Sequence, residues 1–285
     1  MRLPILSLIA IALPLVACAQ SPHSSGRGIV KTATIPRKPA PAISAPRAIV
    51  IDYESGRVLF QKNADAKCAV ASTQKLITAL CVLDKGNVQK KFTIAKSDTW
   101  VEPTKLGILP GEVYTRRKLV GALLVRSGND VARALARDNA GSETKFAAVM
   151  NRKARSLGMK NSNFLNPHGL TAKGQYSTAR DMAICARAAY KNDTIRSITN
   201  TRAYTFKFSN GRTKHLTNTN RVLKSVPYCN GMKTGTTRAS GRCLISSGTL
   251  NGRTAIVVVL GATSQTIWKD SEKLLRWSLE RPASQ

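Results

Sequence analysis

The stretch Ala71-Ser72-Thr73-Gln74-Lys75-Leu76-Ile77 sets a hydroxyl and an amine three positions apart at the head of an apolar run. The run continues to Leu83 with helical spacing and stops before Gly86, which predicts a helix. Positions three apart on a helix share a face, so the Lys75 amine can sit over the Ser72 hydroxyl. A serine needs such a base to take its proton before it attacks a carbonyl. The spacing alone is weak evidence, because Ser142-Glu143-Thr144-Lys145 repeats it. That second copy reads more simply as a helix start, with Ser142 as N-cap and Glu143 in the first turn.

On either side of the first copy the chain reads in three blocks. Ala48-Ile49-Val50-Ile51-Asp52 is a strand, Ser55-Gly56 a turn, and Arg57-Val58-Leu59-Phe60 the hairpin partner. Phe92 and Ile94 mark a short strand. Residues 106–190 read as mainly helical. Thr115 caps a helix through Leu119, Leu123 and Leu124, and Ser127-Gly128-Asn129 interrupts it. A second helix follows through Val131 and Leu135, a third covers 146–157 and ends at Gly158, and Asn166-Pro167-His168-Gly169 is a loop. Thr178 opens another helix with Asp181 in its first turn. Residues 230–236, 243–247 and 254–260 have strand composition between Gly or Asn-Gly turns, and a last helix runs over 269–279. The fold class predicted is a mixed α/β (α+β) domain. One antiparallel sheet draws strands from both chain ends, helices flank it, and the insert is mostly helical.

The chain has 285 residues, enough for a real core. Its 45 Lys+Arg against 15 Asp+Glu give a formal charge of +30. Such a surface attracts polyanions, whether an acidic wall polymer or anionic lipid, or simply keeps the protein soluble. No zinc-finger spacing and no aromatic-basic RNA-binding motif occurs, so nucleic acid is not an expected partner. Arg2 precedes an uncharged run from residue 3 to 17, too short to span a bilayer and built like an export signal. Ala17-Cys18-Ala19 fits ordinary cleavage; Leu15-Val16-Ala17-Cys18 resembles a bacterial lipobox, the preferred reading, with Cys18 lipidated and the protein held at the membrane without a spanning helix. Residues 19–46, rich in proline and small polar residues, read as a flexible linker, and residues 47–285 as the catalytic domain. The other cysteines (Cys68, Cys81, Cys185, Cys229, Cys243) have no C-x-x-C spacing, which argues against zinc; they are buried thiols, or some are paired after export.

Three motifs lie in order. Ser72-Thr73-Gln74-Lys75 heads a helix, Ser127-Gly128-Asn129 breaks two helices, and Lys233-Thr234-Gly235 sits on a strand. With Asp130, Met150-Asn151, Leu157-Gly158-Met159, Asn166-Pro167-His168-Gly169-Leu170, Ser177-Thr178-Ala179-Arg180-Asp181 and Gly231-Met232, they resemble the low-molecular-mass penicillin-binding proteins, the D-alanyl-D-alanine carboxypeptidases. The likeness runs from about residue 47 to 277. It implies the β-lactamase/penicillin-binding transpeptidase-like fold, export to the bacterial cell envelope, peptidoglycan stem peptides as substrate, β-lactams as covalent inhibitors, and neither metal nor cofactor.

The resemblance further implies roles. Ser72 forms an acyl-enzyme with the penultimate D-alanine carbonyl, and Lys75 is its base, its pKa lowered by burial and by Lys233. Ser127 passes a proton to the leaving amine. Asn129 holds Lys75 and the substrate backbone. Lys233 and Thr234 meet the substrate's terminal carboxylate, Gly235 permits close backbone approach, and the N–H groups of Ser72 and Thr236 form the oxyanion hole. His168 is expected to stabilise its loop; with His215 it suggests a Ser-His-Asp arrangement, but no nucleophile elbow is present and Ser72 already has a base.

Two departures matter. No segment matches the glutamate loop with which class A β-lactamases deacylate. The arginine that many relatives carry before the last helix is absent from Ser264-Gln265-Thr266-Ile267-Trp268-Lys269, leaving Lys269, Arg238 or Arg242 as substitutes. Ending at Gln285, the chain is also expected to lack the extra β-domain and terminal amphipathic helix of larger relatives. Rival readings are a DD-endopeptidase cutting cross-links, a serine β-lactamase, and a basic wall-binding or penicillin-sensing module with little turnover.

Overall fold

In the computed structural model, which describes residues 39–280, alternation along the first strand sets the plan. Strand β1 (Arg47–Asp52) turns Ala48 and Val50 to one face and Ile49 and Ile51 to the other, and all four are buried. Both faces of the sheet are therefore covered, and each face nucleates its own core cluster.

The elements follow in chain order. Strand β2 (Val58–Lys62) closes the first hairpin, and helix α1 (Lys75–Asp84) comes next. Short strands β3 (Lys91–Thr93) and β4 (Val113–Thr115) pair with each other. Helices α2 (Arg116–Val125), α3 (Asn129–Ala140), α4 (Glu143–Ser156), α5 (Ala179–Lys191) and α6 (Asp193–Asn200) form the insert. A hairpin of β5 (Ala203–Lys207) and β6 (Thr213–Thr217) and a single turn α7 (Val222–Ser225) lead to β7 (Cys229–Thr237), β8 (Gly241–Leu250), β9 (Arg253–Ala262) and α8 (Thr266–Leu279).

The main sheet is antiparallel with order β2-β1-β9-β8-β7, so the first strands pair with the last ones, as expected. Ala48, Val50, Val257 and Val259 pack under Leu274 and Leu275 of α8. Ile49, Ile256 and Val258 face the insert, where α1 is apolar nearly all round and buried from Lys75 to Val82. This leaves β7 at the open edge, beside the head of α1.

The expected N-caps are in place: Thr115, Ser142 and Thr178 accept from the backbone N–H of Lys118, Lys145 and Asp181. Four features differ from the expected pattern. Ser72 lies in a 3₁₀ turn (Ala71–Gln74) ahead of α1. The start of the expected helical block, 106–112, is irregular; Leu106 and Ile108 are buried there as loop residues. The β5–β6 hairpin and β4 were not expected. Residues 39–46, placed in the expected linker, lie against the domain. The Ala45 N–H donates to Asp270 Oδ2 at 2.8 Å, and the Trp277 indole donates to the Pro39 carbonyl at 3.0 Å. The expected signal (1–18), with Cys18, and the rest of the linker fall outside the described residues.

All five cysteines in the described residues are free thiols, four of them buried. No helix among these residues is long and apolar enough to cross a membrane.

Candidate active site

Glycine packing draws the three motifs together. A Cβ on Gly235 would lie 2.7 Å from the Ser72 nitrogen, and one on Gly169 would lie 2.2 Å from the Ala71 carbonyl oxygen. The 3₁₀ turn is thus clamped between β7 and the 166–170 loop, at a closeness only glycine allows. Gln74 and Thr78 complete the brace by donating to the carbonyls of Asn166 (2.5 Å) and Pro167 (2.8 Å). The turn is held in strained backbone, with Ala71 at φ 48°.

Lys75 is fully buried. Its Nζ lies 2.8 Å from Ser72 Oγ, 2.7 Å from Asn129 Oδ1 and 2.5 Å from the His168 carbonyl. The two carbonyl oxygens can only accept. A neutral amine gives them its two N–H groups and keeps its lone pair for the one partner able to donate, the Ser72 hydroxyl. Burial first, and the charge of Lys233 second, hold the Lys75 pKa well below the ordinary lysine value. The sequence expected both causes; the His168 carbonyl is the acceptor it did not name, since a backbone group leaves no residue-type signal.

Ser127 repeats the arrangement from the other side. It stands at φ 71°, a left-handed conformation rare for serine, between α2 and α3. The buried Lys233 Nζ donates to Ser127 Oγ and to the Thr234 carbonyl, each at 2.9 Å. Burial lowers the Lys233 pKa to about 7. Asn129 turns its amide N–H to the Pro103 carbonyl, so it ties Lys75 to the 103–107 loop. Asp130, fully buried beside it, accepts from the N–H groups of Leu106 (2.9 Å) and Gly107 (2.8 Å) and holds the rest of that loop.

These groups meet at a cleft of about 490 Å³. Ser72, Ser127, Thr234, Gly235 and Thr236 line it, whereas Lys75, Asn129 and Lys233 lie beneath its floor. Lys233 is therefore placed to act on the cleft through Ser127 and through its charge. The wall also carries Arg126, Arg221, Lys224 and Arg242, with no carboxylate among the lining residues. Arg242 donates to Thr236 Oγ1 at 3.2 Å, and Arg221 stacks on Trp268 at 5.3 Å from the ring centre. Of the three expected substitutes for the missing arginine, Arg242 lines the cleft; Arg238 and Lys269 do not. His215 lies on β6, paired across the hairpin with Thr205 and away from this cleft. Among the described residues no cluster of His, Cys, Asp or Glu is placed to hold a metal.

The arrangement has parts that acyl transfer can use: a hydroxyl beside a buried amine whose pKa is lowered, a second hydroxyl–lysine pair, backbone N–H groups at a pinched turn, and a cationic wall. Known proteins resemble this chain in sequence and in fold. Residues 32–264 match the sequence profile of the D-alanyl-D-alanine carboxypeptidases, peptidase family S11. D-alanyl-D-alanine carboxypeptidase DacF of Bacillus subtilis is 36% identical over 228 residues, covering 78% of this chain and 59% of the relative. DacC of Escherichia coli is 38% identical over 252 residues, covering 84% and 62%. The chain thus spans about three fifths of the length of these two relatives. The crystal structure of a D-alanyl-D-alanine carboxypeptidase from Mycobacterium tuberculosis H37Rv superposes with a TM-score of 0.82 at 31% identity, covering 87% of this chain and 96% of that one. With motif order, sheet topology and profile in agreement, the chain belongs to the D-alanyl-D-alanine carboxypeptidase family.

Proposed function

We propose that the protein is a serine-type D-alanyl-D-alanine carboxypeptidase that removes the terminal D-alanine from peptidoglycan stem peptides. The observation that carries this reading is the Lys75 amine, held by two acceptor-only carbonyls with Ser72 as its third partner. The Ser72 proton passes to the Lys75 lone pair as Oγ bonds to the carbonyl carbon of the penultimate residue. The charge that develops on the carbonyl oxygen is taken by the N–H groups of Ser72 and Thr236, each such donor being worth roughly 10²–10³ in rate. The C–N bond breaks as Ser127, fed by Lys233, hands a proton to the departing amine of D-alanine. The proton that Lys75 took passes by way of Ser127 to refill Lys233, which restores the Lys75 lone pair. Water then gives a proton to Lys75 as its oxygen bonds to the acyl carbon, the bond from that carbon to Ser72 Oγ breaks, and Lys75 returns the proton to Oγ.

Thr234 and Arg242 receive the terminal carboxylate, with the remaining cations of the wall adding their field. A β-lactam enters the same path and its acyl group leaves slowly, because no glutamate activates water for its release. The domain works in the cell envelope, tethered through a lipidated Cys18; Cys18→Ser would move the protein from the membrane to the soluble fraction.

Digestion of purified muropeptides tests the activity. Release of free D-alanine from pentapeptides is expected. Conversion of cross-linked dimers to monomers without free D-alanine would make it an endopeptidase, and rapid penicillin hydrolysis with no lasting adduct a β-lactamase.

A further inference from the structure

His168 is buried, 7% exposed, behind the carbonyl that holds Lys75, and the reaction just described leaves its imidazole unused. Both ring nitrogens have fixed partners. Nδ1 accepts from the Leu170 backbone N–H at 3.2 Å, so it carries no proton. Nε2 therefore carries it and faces Glu143 Oε2 at 3.3 Å. Glu143 is anchored in turn by Arg133 at 2.8 Å. The titratable and charged groups facing the ring come from three elements: Glu143 on α4, Arg133 on α3 and Lys75 at the head of α1.

We propose that the neutral His168 imidazole is a positioning group for the base: it fixes the 168–170 backbone so that the His168 carbonyl keeps Lys75 aimed at Ser72. A second proton on the ring must go to Nδ1. It then meets the Leu170 N–H, donor against donor, and costs both groups the hydrogen bond they share. The loop must shift to relieve this, and it cannot shift freely, because Gly169 is wedged against Ala71–Ser72 and Asn166 accepts from the Gly169 N–H at 2.8 Å. Movement is passed to the 168 carbonyl and hence to Lys75 Nζ, which donates to it at 2.5 Å, and to Ser72 Oγ, which lies 3.2 Å from it.

Burial sets the ring against the charged form, and Lys75 and Arg133 add to this; Glu143 works the other way, and the balance lowers the His168 pKa below the usual imidazole value. The ring is thus neutral at pH 7 and charges only in acid. Acylation of Ser72 then needs two groups deprotonated, Lys75 and His168. This inference rests on the acyl-enzyme reading above.

The test is the rate of acylation by a fluorescent penicillin across about pH 5 to 8, using the full chain, its His168→Gln variant and its Glu143→Gln variant, with thermal melts as a control. On the acid side the wild-type log rate steepens towards a slope of about 2. His168→Gln, whose amide still reaches Glu143 but cannot take up a proton, falls to a slope of about 1 with a plateau within roughly 10-fold of wild type. Glu143→Gln removes the group that favours the charged ring, so its acid limb moves to lower pH. A His168→Gln profile that superposes on wild type after scaling overturns the inference and leaves a purely structural histidine. Nitrogen NMR of the wild-type ring gives a second reading that needs no variant: an unprotonated Nδ1 at pH 7 supports the inference, and a protonated Nδ1 overturns it. Absence of wild-type acylation at every pH overturns the catalytic reading as well, whereas acylation with an unchanged acid limb overturns this inference alone.

Discussion

Two serines in this chain precede a lysine by three residues, and their fates differ. Ser142 accepts from the Lys145 backbone N–H at 3.2 Å as the N-cap of α4, and the Lys145 side chain is exposed. Ser72, half-buried at the cleft, caps nothing; it meets the fully buried Lys75 amine itself. The difference lies in what surrounds each pair. Around Lys75 stand Asn129, the His168 carbonyl and Lys233, and against the Ser72 backbone lies the strand glycine Gly235, each brought from a distant part of the chain. Lys145 stands exposed on the outer side of α4. Burial is what lowers the pKa of one lysine at this spacing, Lys75. The second copy is not idle, since the Glu143 that follows Ser142 is the carboxylate facing His168.

Breaking each pair separates them most sharply. Ser72→Ala removes the acyl acceptor and should abolish the covalent penicillin adduct. Ser142→Ala should leave acylation intact and cost about 1 kcal/mol of stability in a denaturant melt, the worth of an N-cap. Lys75→Met keeps the volume and removes the base, so the acylation rate should fall by roughly 10²–10⁴, while Lys145→Met leaves it unchanged. Gly235→Ala forces a Cβ to 2.7 Å from the Ser72 nitrogen; with the turn displaced from the acyl carbon, a loss of roughly 10²–10³ in acylation is expected with the fold retained by circular dichroism.

Stability against pH carries the same contrast. Lys75 and Lys233 both bind their protons less tightly folded than unfolded. Between their folded and ordinary values the unfolded chain holds more protons, so stability rises with pH. For Lys233 that window runs from about 7 up to the ordinary value of 10.5. The melting temperature should climb across it, less so in Lys75→Met, and Lys145→Met should change nothing. The smallest effect is expected at the wall: Arg242→Ala should lower kcat/KM on a D-Ala-D-Ala peptide by roughly 10-fold, about the 1.4 kcal/mol of one charge-assisted contact, with penicillin acylation less affected.

How far the sequence reached follows from the same physics. The terminal strands were legible because Ala48-Ile49-Val50-Ile51 and Ile256–Leu260 are continuous apolar runs of strand length. The β5–β6 hairpin was not, because Phe206 and Leu216 are the only buried residues of those strands amid exposed polar ones. Leu106 and Ile108 suggested a helix; they are buried as a loop because Asp130 satisfies that loop's backbone N–H groups. At the site, the side chains of Ser72, Lys75, Ser127, Asn129 and Lys233 could be named from motifs. The His168 carbonyl, the loop held by Asp130 and the clamp of Gly169 could not, since they are contacts of backbone made by tertiary packing. The cationic wall of Arg126, Arg221 and Lys224 was hidden among the chain's 45 basic residues.

The central claim is that burial makes Ser72–Lys75, and not its twin, the reacting pair. Intact-mass measurement after incubation with penicillin tests it most directly, on the wild-type chain, Ser72→Ala and Ser142→Ala. One stable adduct on the wild type and on Ser142→Ala, with none on Ser72→Ala, is the predicted result. An adduct that persists in Ser72→Ala, or a wild-type chain that takes up no penicillin at all, would contradict it.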